Sequence, residues 1–259
     1  MADTAILRAI CMLHNSRIVC KIVDKQGFPM VSVDQIRNYP LFEGLNEAEL
    51  ARLASAIVKR SFVRGAYVFY PGNPGANAYL VESGLVRMFF STASGQEILL
   101  NLASPPEAFS LPTLQERQLR VIGASAVVPT VLLCIGREDF FQMFDASPQF
   151  ARNVYRTLLI ISRKLLLHSR MFSTLDLNGR LATMLLRLAK KNANQEHIFQ
   201  VPISQEDFAG WVGASRGRLN QAMKRLQQLG LIEVRGQTVA ILDYAGLERL
   251  AEEQTMEKL

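Results

Sequence analysis

The most constraining feature of the 259-residue sequence is the stretch of residues 201–226, which predicts two short helices joined by a tight turn. Ser204 followed by Asp207 is typical of a helix N-cap, and Gly213 permits the left-handed backbone that ends a helix. Ser215 opens a second helix. Apolar residues recur in it at helical spacing, namely Leu219, Ala222, Met223 and Leu226. The pattern predicts a helix-turn-helix, whose second helix can enter a DNA major groove.

The polar face of the second helix contains no acidic residue. It carries Arg216, Arg218, Asn220, Gln221, Lys224 and Arg225. Cationic side chains of this kind bind phosphate, and guanidinium and amide groups read base edges. Beyond the helix, residues 231–234 and 238–242 predict a hairpin around Arg235, which adds a wing. The tight turn, the two helix caps and the basic face of the second helix all fit a helix-turn-helix. They therefore favour DNA binding over an ordinary helical hairpin with a solvated basic face.

The chain before residue 137 has the sequence pattern of a small antiparallel β domain. Seven short β-rich runs are each followed by a turn signal, and they cover residues 60–63, 67–70, 78–83, 85–92, 97–103, 121–127 and 131–135. Many short strands with regular turns predict a barrel or sandwich. Residues 1–38 are assigned to an N-terminal extension and residues 39–146 to the β domain.

Residues 147–175 predict one long helix between the two parts. Its apolar seam alternates steps of four and three along Val154, Leu158, Ile161, Leu165, His168 and Phe172. Such a 3.5-residue period is typical of a coiled coil, and a helix of this length spans roughly 40 Å. We therefore expect a homodimer; the alternative is that the seam packs on the chain's own barrel.

Composition and cysteine content exclude several classes of protein. An apolar content of 49%, a charged content of 20% and a net charge of +6 indicate a globular chain compatible with a polyanionic partner. Three cysteines, Cys11, Cys20 and Cys134, cannot form a complete set of disulfides, which favours the cytoplasm. No signal peptide or membrane span is expected. Without a nucleophile–base pair, a P-loop or a zinc-protease motif, we expect no enzyme.

These parts, in this order, resemble the CRP/FNR family of bacterial transcription regulators over about residues 40–252. The matching residues are Val63–Gly65, Tyr70–Gly72, Tyr79–Gly84, Val86, Gly95, Asp176, Gly179–Ala182, Leu185, Val212–Arg216, Leu219, Leu226 and Gly230–Ile232. The resemblance implies an α+β chain with a β-roll, or jelly-roll, sensor domain, a dimerisation helix and a winged helix-turn-helix over residues 176–259. It also implies RNA polymerase as a partner.

The resemblance further implies roles along the recognition helix, residues 215–228. Ser215 is placed for a phosphate contact, and Arg216 aligns with the family arginine that binds guanine. Gln221 stands where many members have a second base-reading arginine and suits adenine instead. Gly217 replaces a glutamate, so the family's commonest half-site is not expected here. The remaining predicted DNA contacts are Ser204, Arg218, Asn220, Lys224 and Arg235, with Arg218 and Lys224 on phosphate.

The sensor half departs from the pattern of cyclic-nucleotide-binding members. Phe109 is followed by Ser110-Leu111-Pro112, where those members have a Gly-Glu pair, and the ribose-binding glutamate is missing. Leu165 and Leu166 would leave purine polar groups unsatisfied, which costs about 1–3 kcal/mol each. We therefore expect an effector other than cyclic AMP. Its pocket is predicted to include Leu99, Phe109, Ser110, Leu111, Arg117, Arg120, Ile161 and Leu165.

Other sensing chemistries remain as alternatives, and no cofactor is assigned. A thiol switch between Cys11 and Cys20, or a metal held by both with His14, stays open. An iron–sulfur cluster is not supported, because such members use four cysteines. A haem is not supported either, because His168 fits a structural seam residue better. A degenerate sensor domain would instead leave a constitutive DNA-binding protein.

Overall fold

The computed structural model describes residues 31–92, 95–111, 119–191 and 197–256. It confirms the predicted α+β class: an antiparallel β-roll, one long helix and a winged helix-turn-helix follow one another along the chain. The helices are α1 (Val33–Arg37), α2 (Glu47–Ala56), α3 (Arg137–Ala146), α4 (Pro148–Thr174), α5 (Leu177–Lys191), α6 (Gln205–Val212), α7 (Arg216–Gln228) and α8 (Tyr244–Met256), with a short 3-10 helix at Pro40–Phe42.

Two four-stranded antiparallel sheets form the β-roll, with strand orders β1-β8-β3-β6 and β2-β7-β4-β5. The strands are β1 (Val58–Phe62), β2 (Tyr67–Phe69), β3 (Asn77–Ser83), β4 (Val86–Ser91), β5 (Glu97–Ala103), β6 (Ala108–Phe109), β7 (Gly123–Ala126) and β8 (Thr130–Gly136). All seven predicted runs are strands. The two-residue β6 was not predicted, because so short a run carries no alternation of apolar and polar residues.

The β-roll begins earlier in the chain than the sequence indicated. Ile36 of α1 is fully buried, and Tyr39 donates a hydrogen bond from its hydroxyl to the Val81 carbonyl oxygen at 3.0 Å. Both belong to the apolar cluster that also contains Phe42 and Phe150. Residues 31–38, assigned above to an N-terminal extension, therefore contribute to this core.

The long helix α4 has the predicted bounds within one residue. Ser147 caps it by accepting a hydrogen bond from the Phe150 amide at 3.2 Å, and Pro148 occupies the first turn, where no amide donor is needed. At its other end the Phe172 ring lies under the guanidinium of Arg180, which also donates to the Val212 carbonyl oxygen at 2.8 Å. These contacts attach the helix-turn-helix to the end of α4.

The C-terminal part is a winged helix-turn-helix. A three-stranded antiparallel sheet of β9 (Ile198–Gln200), β10 (Ile232–Arg235) and β11 (Thr238–Ile241) has the order β10-β11-β9. Leu181, Met184, Leu185 and Leu188 form the buried face of α5. They form one apolar cluster with Phe208, Trp211 and Leu226, which positions α6 and α7.

Candidate nucleic-acid interface

The turn between α6 and α7 has the backbone that the sequence predicted. Gly213 takes a left-handed conformation, with φ of 68°, and ends α6. Ser215 caps α7 by accepting from the Arg218 amide at 3.4 Å. Leu219, Ala222 and Leu226 are buried beneath α7. The opposite face of this helix is consequently fixed toward solvent.

The exposed face of α7 is cationic and polar along its whole length. Its exposed residues are Arg216, Gly217, Arg218, Asn220, Gln221, Lys224 and Arg225, and Ser215 at the N-cap is exposed as well. The helix contains no acidic residue. The N-terminus of a helix carries a partial positive charge. The arrangement therefore presents cations, amides and unpaired backbone donors on one surface that a polyanion can approach.

Two further predicted contacts lie beside this face. Ser204 caps α6 and accepts from the Asp207 amide at 3.0 Å. At the tip of the wing, the exposed Arg235 pairs with Glu233 at 2.7 Å. The wing is tied to α7 because the Val234 amide donates to Gln227 Oε1 at 3.2 Å. The wing is thus held beside the recognition helix.

Gln205 is a residue of this surface that the sequence analysis missed. Its Oε1 accepts a hydrogen bond from Arg216 Nε at 3.0 Å, which leaves the two terminal nitrogens of the guanidinium available. Gln205 directly follows the α6 cap. Its place next to Ser204 in the first turn of the motif was the signal that was available.

The residues of the predicted dimer seam on α4 differ in their exposure. Leu158, Leu165 and Phe172 are exposed, whereas Ile161 and His168 are half-buried. Val154 is only 5% exposed and lies in the core that contains Phe150, so its assignment to the seam is wrong. The physical reason is that the first turns of α4 pack on the chain's own β-roll. His168 contacts the Phe172 ring, and burial and the charge of Arg187 lower its pKa.

The exposed apolar face of α4 is wider than the predicted seam. Besides Leu158 and Leu165 it includes Tyr155, Leu159 and Leu166, with Leu166 68% exposed, while Ile160 and Leu167 are exposed on another side of the helix. The sequence signal was a second set of apolar residues, Tyr155, Leu159 and Leu166, at steps of four and seven beside the first series. Contiguous apolar surface of this kind marks an interaction site.

The predicted effector pocket does not form one cavity lining. Leu99 is 1% exposed and packs into the cluster of the DNA-binding domain, so its assignment to the pocket is wrong. Leu111 packs against the cluster around Phe42 instead. Leu165 is 59% exposed on α4. Ser110 has a φ of 54°, and Arg117 lies outside the described residues.

Aromatic rings fill the space around Phe109 in the β-roll. Phe109 stacks on Tyr79 with ring centroids 5.3 Å apart, and Phe69 stacks on Tyr79 at 5.6 Å. Arg120 lies over the Phe69 ring at 3.9 Å and donates to the carbonyl oxygens of Asn77 at 3.1 Å and Pro74 at 3.3 Å. Burial lowers the pKa of Arg120. Among the described residues, Arg120 is therefore the predicted pocket cation that lies at this cluster.

The redox candidates divide between described and undescribed residues. Cys134 is 3% exposed, and burial raises its pKa to about 12, so its thiol is protonated and shielded at neutral pH. Cys11, His14 and Cys20 lie outside the described residues. Within residues 31–92, 95–111, 119–191 and 197–256, no helix combines the length and apolar content needed to cross a bilayer.

A β-roll joined by a long helix to a winged helix-turn-helix with an exposed basic face defines a DNA-binding regulator with a sensor-type domain. Residues 59–147 match the cyclic nucleotide-binding domain family, and residues 179–250 match the Crp-like helix-turn-helix domain family. The chain is 31% identical over 216 residues to the cyclic AMP receptor protein of Thermus thermophilus, covering 83% of this chain and 98% of that protein. The chain therefore belongs to the CRP/FNR family of transcription regulators.

Solved structures share the same fold. FixK2 from Bradyrhizobium japonicum superposes with a TM-score of 0.68 at 19% identity, covering 75% of this chain and 96% of that one. The c-di-GMP responsive global regulator CLP of Xanthomonas campestris superposes with a TM-score of 0.63 at 25% identity, covering 76% and 100%. The relatives found are transcription regulators rather than enzymes.

Proposed function

We propose that this regulator acts as a homodimer that binds an inverted-repeat DNA site through α7, and that its effector is not cyclic AMP. The observation that carries the proposal is a pair of unpartnered surfaces on one chain: the acid-free face of α7 and the apolar face of α4. The first suits a polyanion, and the second suits a copy of itself.

Base reading is assigned to three side chains of α7. Arg216 forms a bidentate contact with guanine, and Gln221 and Asn220 suit adenine. Gly217 offers no acceptor for a cytosine amine. These roles are supported by the exposure of all four positions and by the Gln205 bond that orients Arg216.

Phosphate contacts frame the base-reading residues. Arg218 and Lys224 flank them on α7, Ser204 and Ser215 stand at helix N-termini, and Arg235 extends the surface onto the wing. Since these contacts carry no sequence information, they supply affinity and orientation rather than specificity.

Dimerisation is supported by the apolar surface that a single chain leaves in water. Tyr155 is 64% exposed, Leu159 51% and Leu165 59%, all on one side of α4. Pairing two such helices removes this surface from water at about 25 cal/mol per Å². In a dimer the two recognition helices then contact half-sites about one helical turn apart. RNA polymerase is proposed as a partner on family resemblance.

The exclusion of cyclic AMP is supported by the side chains within the β-roll. The rings of Phe69, Tyr79 and Phe109 stack on one another, and Arg120 already bonds two backbone carbonyls. Leu111 follows Ser110 where a ribose-binding acid would be required. Titration calorimetry with cyclic AMP is expected to give no binding heat; micromolar binding would contradict this part of the proposal.

The same aromatic cluster favours a second candidate, a regulator that binds DNA without any effector. Gel-shift titrations with and without cell extract or oxidant separate the two. Ligand control predicts a change in affinity, whereas a ligand-independent regulator gives superimposable curves. A change that follows oxidant and is lost in a Cys11→Ser/Cys20→Ser variant would instead assign a thiol switch.

Selection of binding sites from a random duplex pool tests the DNA-binding proposal. We expect enrichment of an inverted repeat that contains guanine and adenine in each half-site. Enrichment of no sequence at all, at low as well as physiological salt, would contradict it.

A further inference from the structure

An ion pair connects the β-roll directly to the first turn of the helix-turn-helix. Arg87 of β4 places Nη2 at 3.0 Å from Asp207 Oδ1 on α6 and at 2.8 Å from Glu97 Oε2 on β5. The side chains of Arg87 and Asp207 are 17% and 19% exposed, so the pair is shielded from solvent. Ion pairs in such surroundings are screened far less than surface pairs.

Both ends of this contact are held by further bonds. On the β-roll side, Glu97 Oε1 accepts from the Tyr67 hydroxyl at 2.8 Å, and the Arg87 guanidinium lies 4.8 Å from the Phe89 ring centroid. On the DNA side, Asp207 Oδ2 accepts from the Ser204 hydroxyl at 2.7 Å. The series of bonds therefore runs from inside the β-roll to a residue proposed to contact phosphate.

Apolar side chains of the β-roll surround this ion pair at the contact between the two domains. Leu99 and Leu102 of β5 are each 1% exposed and belong to the apolar cluster of the DNA-binding domain. Beside them a cleft of about 490 Å³ opens between Leu85 of the β-roll and Phe199 and Thr238 of the wing sheet. The ion pair therefore lies beside apolar contacts and adds to them a charged contact whose geometry is directional.

We propose that Arg87 and Asp207 are positioning residues, which together fix the orientation of the recognition helix relative to the β-roll in the DNA-binding conformation. The docked arrangement is compatible with DNA contact, since Arg216, Gln221 and Lys224 remain exposed in it. Arg87 also neutralises a carboxylate that stands one turn from the proposed phosphate contact at Ser204. The predicted effect on DNA affinity rests on the proposed DNA-binding function. The docking itself rests only on the contact between Arg87 and Asp207.

Hydrogen exchange tests the docking without DNA. In the Arg87→Met and Asp207→Asn variants, amides of residues 97–103 and 205–212 are expected to exchange about tenfold faster than in the wild type. The double variant is expected to exchange no faster than Arg87→Met alone, because both changes remove the same contact. Arg235→Met is the matched control, since it breaks the exposed pair with Glu233 within the wing. Unchanged exchange in both single variants would overturn the proposal.

DNA binding tests the consequence on a duplex selected by the wild-type protein. Arg87→Met and Asp207→Asn are each expected to lower the affinity for this duplex about fivefold or more. We also expect a smaller ratio between the affinity for this duplex and the affinity for duplexes whose half-sites are moved by one base pair. Unchanged or increased operator affinity would overturn the positioning role. Failure of the wild type itself to bind any duplex would refute the proposed function, while the exchange experiment would still decide the contact.

Discussion

At the scale of single residues, specificity depends on what each side chain of α7 has free to offer. Arg216 has its Nε engaged by Gln205, so its terminal nitrogens are oriented for a base edge. Arg218 is an exposed cation in the first turn without an acidic neighbour on its helix. The two arginines are two positions apart in the chain, yet Arg216 is expected to contact a base and Arg218 a phosphate.

Replacing Arg216 by alanine is expected to remove selectivity rather than general affinity. The lost contact corresponds to about 1–3 kcal/mol of discrimination. Binding to the selected duplex should fall by roughly one to two orders of magnitude, while binding to an unrelated duplex stays nearly constant. Fluorescence anisotropy with both duplexes measures the ratio.

Arg218→Ala is the matched control for that experiment. Loss of a phosphate contact should weaken both duplexes alike and reduce the slope of affinity against salt by about 1. If Arg216→Ala also weakened both duplexes equally, its base-reading role would be refuted.

The α7 face could be predicted from the sequence because it depends on local rules. Helical spacing, the Ser215 cap and the left-handed Gly213 decide which residues point outward, whatever the rest of the chain does. The Gln205–Arg216 bond could not be predicted, because it depends on the angle between two helices. The pocket prediction failed at Leu99 because this side chain packs into the apolar cluster of the DNA-binding domain. The sequence of β5 alone does not show which domain covers each of its faces.

At the scale of elements, the turn and the long helix differ in how they are specified. Gly213 combines a φ of 68° with a position against the Phe172 ring, where a Cβ would collide. The long helix has the predicted bounds within one residue, but at Val154 the predicted dimer seam packs on the chain's own β-roll. Periodicity reveals that a helix has an apolar face, but it does not reveal which of two apolar partners covers each part.

Gly213→Ala is expected to destabilise the winged helix-turn-helix. Left-handed backbone in a residue with a Cβ costs about 1–3 kcal/mol, to which the Phe172 collision adds. Urea unfolding followed by Trp211 fluorescence should show a lower midpoint.

Gly210→Ala provides the control within the same helix, α6. A Cβ there meets nothing within 4 Å, and alanine is about 0.5–1 kcal/mol more favourable than glycine inside a helix. This variant is expected to raise the midpoint slightly. Equal midpoints for the two variants would argue against a special role for the turn.

Leu158→Asn/Leu165→Asn is expected to separate the dimer into single chains. Both leucines belong to the exposed face of α4, so the change should leave the folded chain intact while removing apolar area from the dimer contact. Sedimentation velocity should move from twice the chain mass of 29.0 kDa to that mass. Arg163→Asn, on the same helix, should remain dimeric; an unchanged double variant would place the dimer contact elsewhere.

At the scale of the whole molecule, function depends on how the recognition unit is carried. The order of domains followed from sequence, since each has its own periodicity and turns. The docking of α6 on β5 could not be predicted from the sequence. Arg87 and Asp207 are 120 positions apart in the chain, and no local signal joins them. The same reasoning explains why the aromatic cluster around Tyr79 was missed: its rings come from three strands.

Hydroxyl-radical footprinting of the wild-type protein on its selected duplex tests most directly whether two recognition helices read one inverted repeat. We expect two protected segments related by a dyad, with centres about 10–10.5 base pairs apart. A single protected segment, or two without the dyad, would contradict the account.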